Sequence, residues 1–364
     1  MSASFAVLGA GLMGRLMALS LAREGHSVEL FDRGGPDAGQ SAAYVAAAML
    51  APLAESAESE PLIVSLGQAS LERWPELLAT LSEPVFFQQN GTLIVWHIQD
   101  RDQAAQFGRR LHRYDDQLPM ASRARGLSGA EIAEVEPALG QRFARGIYLP
   151  REGQLDNRAL LFALGKALME AGVHLRWHTE VEPEHVLADW IIDCRGVGAK
   201  PDWPRVRGVR GEVLRVHSPE VALSRPIRLL HPRYPIYIAP KPEGVYVIGA
   251  TQIESEDTSP TSVRSALELL SALYSVHPAF GEARILEMVT QCRPALPDNL
   301  PEIRWDGGRL IRINGLYRHG YLMAPAVMDA ALDLVHQLDR SQVGLESWRN
   351  NQRWAPIYEF REAA

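Results

Sequence analysis

Gly9-x-Gly11-x-x-Gly14, followed by Asp32 at the end of the next apolar run, is the constellation with the clearest chemistry in this chain. Three glycines at this spacing divide three jobs: a tight turn, close approach of the backbone to a pyrophosphate, and close packing of a helix on a strand. The helix that follows offers unpaired N–H groups and the positive end of its dipole to phosphate oxygens. A carboxylate placed like Asp32 accepts from ribose hydroxyls. The expected ligand is a dinucleotide, and the fingerprint alone does not separate NAD from FAD. Other chemistries lack their residues: there is no G-x-S-x-G, no H-E-x-x-H and no P-loop. Cys194 and Cys292 lack the partner spacing of a zinc or haem motif, and the 11 histidines show no metal-ligand spacing, so no metal site is expected. His97, His217 and His231 read as surface or hydrogen-bonded strand residues.

The elements that must position this turn follow from local pattern. Phe5 to Leu8 is a continuous apolar run, Leu16 to Ala22 keep helical spacing, and Val28 to Phe31 is a second apolar run, which together make one βαβ unit. Asp156-Asn157-Arg158 reads as a capped start to a helix ending at Gly172, with strands expected at Val173 to Trp177 and Ala188 to Cys194 in the same sheet as the N-terminus. Val85 to His97 and Gly211 to Ala250 alternate or run strand-rich between turns, which suits an antiparallel sheet of period two. A helix is expected from Val263 to Tyr274. The predicted fold class is α/β with an α+β second domain. A Rossmann-like domain, discontinuous in sequence over residues 1–80, 145–208 and 288–364, carries an antiparallel-sheet substrate domain over 81–144 and 209–287. The site is expected at their junction.

Composition bounds the partners. The chain has 364 residues, 46% of them hydrophobic and 22% charged, enough for two cores and far from a disordered composition. Lys plus Arg number 37 against 44 Asp plus Glu, a formal net charge of -7 without a long basic run, so nucleic acid is not an expected partner. The Ala-rich stretch from Ser41 to Ala54 is short of the ~20 apolar residues a membrane span needs. With two cysteines and no basic, small-residue-cleaved leader, a reducing cytoplasm is the expected location.

Further segments resemble the D-amino-acid oxidase superfamily of FAD-dependent oxidoreductases, and within it the bacterial glycine oxidases of thiamine biosynthesis. These are Gly9 to Arg33, the stretch Ala46-Ala47-Ala48-Met49-Leu50-Ala51-Pro52 with Glu55, Ile191 to Gly196, and Asn314-Gly315-Leu316-Tyr317-Arg318-His319-Gly320-Tyr321-Leu322-Met323-Ala324-Pro325. The resemblance implies non-covalent FAD, since Cys292 stands one residue out of register with the cysteine that attaches flavin in sarcosine oxidases. It implies cofactor contacts from Gly9, Gly11, Gly14, Asp32, Arg33, Ser41, Ala48, Met49, Val181, Gly196, His319, Gly320, Tyr321 and Leu322. It departs from the family at Ala42, Ala43 and Tyr44, where small hydroxyl residues are usual, and at His319, where asparagine is frequent.

For the substrate, the resemblance implies that Arg293, opening Arg293-Pro294, pairs bidentately with an amino acid carboxylate, that Tyr237 donates to the same group, and that Arg318 stands beside the flavin edge. A guanidinium fork matches that planar anion better than an ammonium does. The implied activity is oxidative deamination of glycine or a small N-alkyl glycine, by hydride transfer to flavin N5, giving a 2-oxo acid, ammonia and, with dioxygen, hydrogen peroxide. A homo-oligomer is implied as well. Open alternatives are a dehydrogenase passing electrons to a quinone or protein, and a flavoprotein acting on a protein side chain during maturation of a partner.

Overall fold

The computed structural model describes residues 2–115, 120–340 and 344–360, so short parts of the 81–144 and 288–364 segments fall outside it. Strand β1 (Ser4–Leu8) is buried from Phe5 onward, the pattern of a parallel-sheet strand covered on both faces. Helix α1 (Leu12–Arg23) buries Leu12, Leu16, Met17, Leu19 and Leu21. The chain turns back at Gly25 (φ 89°) into β2 (Ser27–Phe31), parallel to β1 with Phe5 opposite Val28 and Leu8 opposite Phe31.

These strands belong to a seven-stranded sheet ordered Tyr358–Phe360, Glu302–Trp305, Leu310–Asn314, Trp190–Asp193, β1, β2, His174–Arg176. Its pairings are parallel except that between Glu302–Trp305 and Leu310–Asn314. The strands expected at Val173 to Trp177 and Ala188 to Cys194 are present in this sheet, shorter than expected. Asn157–Glu170 is helical, and Asp156 Oδ1 caps it by accepting from the Arg158 and Ala159 amides at 2.9 Å each.

An eight-stranded sheet forms the second layer. Its order is β7 (Arg284–Ala295), β3 (Arg207–His217), β6 (Val245–Gly249), β5 (Ile236–Pro240), β4 (Ile227–Leu230), Thr92–Trp96, Arg145–Leu149, Arg125–Ser128. One pairing departs from the antiparallel expectation: β4 runs parallel to Thr92–Trp96, because the chain between them is a long crossover through the first layer instead of a hairpin. Val85 to His97 also divides. Phe87–Gln88 joins a three-stranded sheet with Met49–Leu50 and Gly153–Leu155, while Thr92–Trp96 enters the large sheet.

Two helices close the first layer. Helix α2 (Pro61–Ala79) buries Trp74, and α3 (Gly320–Arg340) runs through Pro325 without ending there. Pro325 has no N–H for the carbonyl of Tyr321, and that carbonyl instead accepts from Trp74 Nε1 at 2.9 Å. The expected helix from Val263 is observed as Val263–Val276. Among the described residues, no helix is long and apolar enough to cross a membrane.

Candidate active site

A cavity of about 860 Å³ extends from the Gly9–Gly14 turn to Arg293 and Tyr237, lined from both large sheets. Its first end is built by the glycines, each constrained differently. Gly9 holds φ 91°, and a Cβ there would sit 2.7 Å from the Cys194 carbonyl oxygen. A Cβ at Gly14 would sit 1.7 Å from the Gly9 oxygen, so α1 can meet the turn only through glycine. Gly11 has room for a Cβ, with Ser41 Cβ 3.8 Å away, and its missing side chain leaves backbone open to the cavity. Gly11 is also the N-cap of α1 without a side-chain cap, which leaves the helix amides available to an anion. Asp32 closes the turn, accepting from Ala10 N at 2.5 Å and from Gly34 N at 2.6 Å. Arg15, fully buried, braces it through the carbonyls of Ala10, Leu161 and Pro36.

The middle of the cavity is walled by the Ala-rich segment and the tail segment. Ser41 caps the short helix Ala42–Val45, and Ala48 takes φ 53°. Lys241 Nζ donates to the carbonyls of Ala47 (3.0 Å) and Leu155 (2.7 Å) and to Gln154 Oε1 (3.1 Å), which ties this segment to β5. Burial lowers the Lys241 pKa to about 7. From the other side the Tyr321 hydroxyl donates to the Ala43 carbonyl at 3.0 Å, and the first turn of α3 lines the wall through Gly320, Tyr321 and Leu322.

The second end is strongly charged. Glu55 Oε2 accepts from Arg318 Nη2 at 2.8 Å, and its Oε1 accepts from the Tyr237 hydroxyl at 3.2 Å. Arg228, buried on β4, donates to Glu58 Oε1 at 2.8 Å, to the Ala54 carbonyl at 2.9 Å and to the Tyr237 oxygen at 3.1 Å. Burial pushes the Glu55 carboxyl up, but Arg318, His319 and Arg228 outweigh it and hold its pKa at about 2. Burial takes His319 down to about 4 despite Glu55 nearby. Arg293 differs from its neighbours. It is half-buried and faces the cavity, its Nη1 donates to the Thr251 carbonyl at 3.0 Å, and no acidic side chain among the described residues forms an ion pair with it. Burial lowers its pKa to about 10, with Arg318 acting in the same direction.

Of the residues expected at a site, the cavity brings together Gly9, Gly11, Asp32, Arg33, Ser41, Ala48, Met49, Gly196, Tyr237, Arg293, Arg318, His319, Gly320, Tyr321 and Leu322. Gly14 and Val181 do not line it. Gly14 acts by packing, as above, and Val181 packs instead against the cluster of Ala6, Leu8, Val186 and Ile191. The Cys292 thiol is directed to the carbonyls of Ser255 (3.6 Å) and Asp257 (3.8 Å). Sequence reasoning missed Arg15, Glu58, Arg228 and Lys241, which carry no local motif. Among the described residues, no His, Cys, Asp and Glu group could hold a metal ion. The extended cavity, the uncapped helix amides and the Asp32 carboxylate at one end fit a dinucleotide, and a guanidinium with no acidic partner among the described residues at the other fits an anion beside it.

The DAO family, FAD dependent oxidoreductase, matches residues 4–333. A Rhizobium etli protein that carries the name thiamine biosynthesis oxidoreductase ThiO is 41% identical over 321 residues, covering 88% of this chain and 93% of its own. Glycine oxidase of Geobacillus kaustophilus is 27% identical over 357 residues, covering 91% and 92%. The crystal structure of glycine oxidase from that organism superposes with a TM-score of 0.79 at 24% identity, covering 94% of this chain and 96% of the other. Iminodiacetate oxidase from Chelativorans has the same fold, with a TM-score of 0.81 at 22% identity over 99% of this chain and all of the other.

Proposed function

The chain belongs to the DAO family of FAD-dependent oxidoreductases, as an enzyme of the ThiO and glycine oxidase type, and from that premise we propose that it oxidatively deaminates glycine or a small N-alkyl glycine. The amine loses two electrons and two protons, water hydrolyses the resulting imine, and dioxygen is reduced to hydrogen peroxide, leaving a 2-oxo acid and ammonia (or an alkylamine). FAD, held without a covalent bond, supplies the two-electron acceptor when bound. Asp32 and the α1 amides would hold its ribose and pyrophosphate, with Ala48, Met49 and the Arg318–Leu322 segment along its ring.

The observation that carries the substrate reading is Arg293, a cavity-facing guanidinium without an acidic partner among the described residues. A substrate carboxylate would complete it, and Tyr237 would donate to the same group by turning its hydroxyl proton away from Glu55. Arg318 differs, because Glu55 and Glu58 already neutralise it. Its role is to hold the wall at the flavin edge. A hydride leaving the α-carbon needs no nucleophile, so catalysis rests on orientation and on binding the amine in its neutral form.

The test is anaerobic mixing of the yellow holoprotein with glycine, sarcosine or D-alanine while its visible absorbance is followed. Bleaching is expected, and aerobic turnover should return peroxide in stoichiometric yield. Absence of bleaching with every amine would overturn the reading. Arg293→Ala is expected to weaken substrate binding by roughly 2–5 kcal/mol with flavin content unchanged, and unaltered kinetics would remove Arg293 from the site.

A further inference from the structure

The place of the Arg293 side chain is bounded by its neighbours on the sheet. On the paired strands β3 and β7, Val209 lies opposite Arg293 and Gly211 opposite Gln291. Side chains alternate between the faces of a sheet, so Gly211 and Arg293 share the cavity face, one pair apart. The Arg293 side chain leans across that interval and occupies the space where a side chain at 211 would stand. A Cβ on Gly211 would lie 2.3 Å from Nη2, 2.4 Å from Cζ and 2.7 Å from Nη1. Gly211 does not adopt positive φ, so no turn geometry accounts for glycine here.

The other side of the guanidinium is fixed independently. Nη1 donates to the Thr251 carbonyl, and Thr251 is locked to the residue after Gly211: its hydroxyl donates to Glu212 Oε2 at 2.9 Å and accepts from the Glu212 amide at 2.9 Å. Glu212 is fully buried and is held in turn by Arg210 Nη2 at 2.7 Å. Gly211 therefore supplies the bare backbone on which the guanidinium lies, while Glu212 and Thr251 supply its stop. One nitrogen is spent on Thr251, which leaves the remaining edge of the fork for a planar anion.

We propose that Gly211 is a positioning residue for substrate binding, acting through Arg293: its missing side chain, with the Glu212–Thr251 clamp, sets where the substrate carboxylate docks. The proposal rests on the reading of Arg293 given above. It yields an unusual expectation for a glycine in a strand. The obstructed group is the end of a flexible side chain, so alanine at 211 should be accommodated by swinging Arg293 aside, with the fold and the cofactor kept.

The experiment uses holoprotein and acetate, a carboxylate that cannot be oxidised, with binding read as a change in flavin absorbance. Gly211→Ala is expected to retain wild-type flavin content and Tm while weakening acetate, and raising the glycine KM, by roughly 10–100-fold, the scale of an ångström-level misplacement. In the Arg293→Ala background the same change should add nothing, because the clash is gone. Wild-type acetate affinity in Gly211→Ala, alongside lost affinity in Arg293→Ala, overturns the proposal and leaves the function standing. Unchanged affinity in both variants removes Arg293 from the site and takes the proposal with it. If Gly211→Ala does not fold, recovery of folded flavoprotein in the double variant supports the proposal, and failure to recover overturns it.

Discussion

The Tyr237 hydroxyl donates to Glu55 Oε1 across 182 residues of sequence, while the same carboxylate holds Arg318 through its other oxygen. Glu55 is thus the shared acceptor of two groups that reach the cavity from different layers. Glu55→Gln keeps its shape and removes its charge, so Arg318 and Arg228 are left with Glu58 alone. Stability at pH 7 is expected to fall by about 3 kcal/mol, the order found when one member of a buried ion pair is removed. Chemical denaturation measures it, and an unchanged midpoint would show that Glu58 suffices.

Asp32→Ala should lower flavin retention, because its carboxylate orders the Ala10 and Gly34 amides of the turn and stands at the expected ribose. The flavin-to-protein absorbance ratio after gel filtration reports this, and equal ratios in variant and wild type would exclude Asp32 from the cofactor site.

Gly14→Ala and Gly11→Ala separate packing from ligand approach. At 14 the new methyl would meet the Gly9 oxygen, and destabilisation of at least roughly 1–3 kcal/mol is expected. At 11 the methyl has ordinary contact distance, so the apoprotein should keep its Tm and lose affinity for FAD. Equal behaviour of the two variants would refute the division of roles.

Two buried groups give stability opposite pH slopes. His319 titrates near 4 when folded and near 6.5 when unfolded, so below 6.5 the unfolded chain binds more protons and stability is lost as pH falls towards 4, by up to about 3 kcal/mol. Burial raises Glu152 from 4.5 to about 8, so there the unfolded chain loses its proton first and stability is lost as pH rises between those values. Between pH 4.5 and 6.5 the two slopes oppose each other, so in denaturation curves from pH 4 to 8 His319→Asn should make stability fall with rising pH already in that interval, and Glu152→Gln should remove the fall between 6.5 and 8. An interval that keeps its slope assigns it to another group.

The legible parts of the fold were those with local signals. The first βαβ unit shows its glycines, apolar runs and acid within one short stretch, and Asp156 marks its helix by capping it. The long strand β7 escaped because its sequence, Arg284 to Ala295, mixes charged and apolar residues without a clean period, its exposed start lying at the sheet edge. In α3, Pro325 removes one helix donor, and the carbonyl it leaves is satisfied by Trp74, 247 residues away in sequence. The charged end of the cavity was least legible. Arg228 and Glu58 meet 170 residues apart, and no local pattern marks them as partners.

The polypeptide passes from the seven-stranded sheet to the eight-stranded one and back twice before it ends. Neither layer is encoded by an uninterrupted stretch of gene. A single deletion or fusion point therefore cannot exchange one layer for another while sparing its neighbour. A recombinant chimera cut once in the middle, between partners whose two layers do not match, should yield no soluble product.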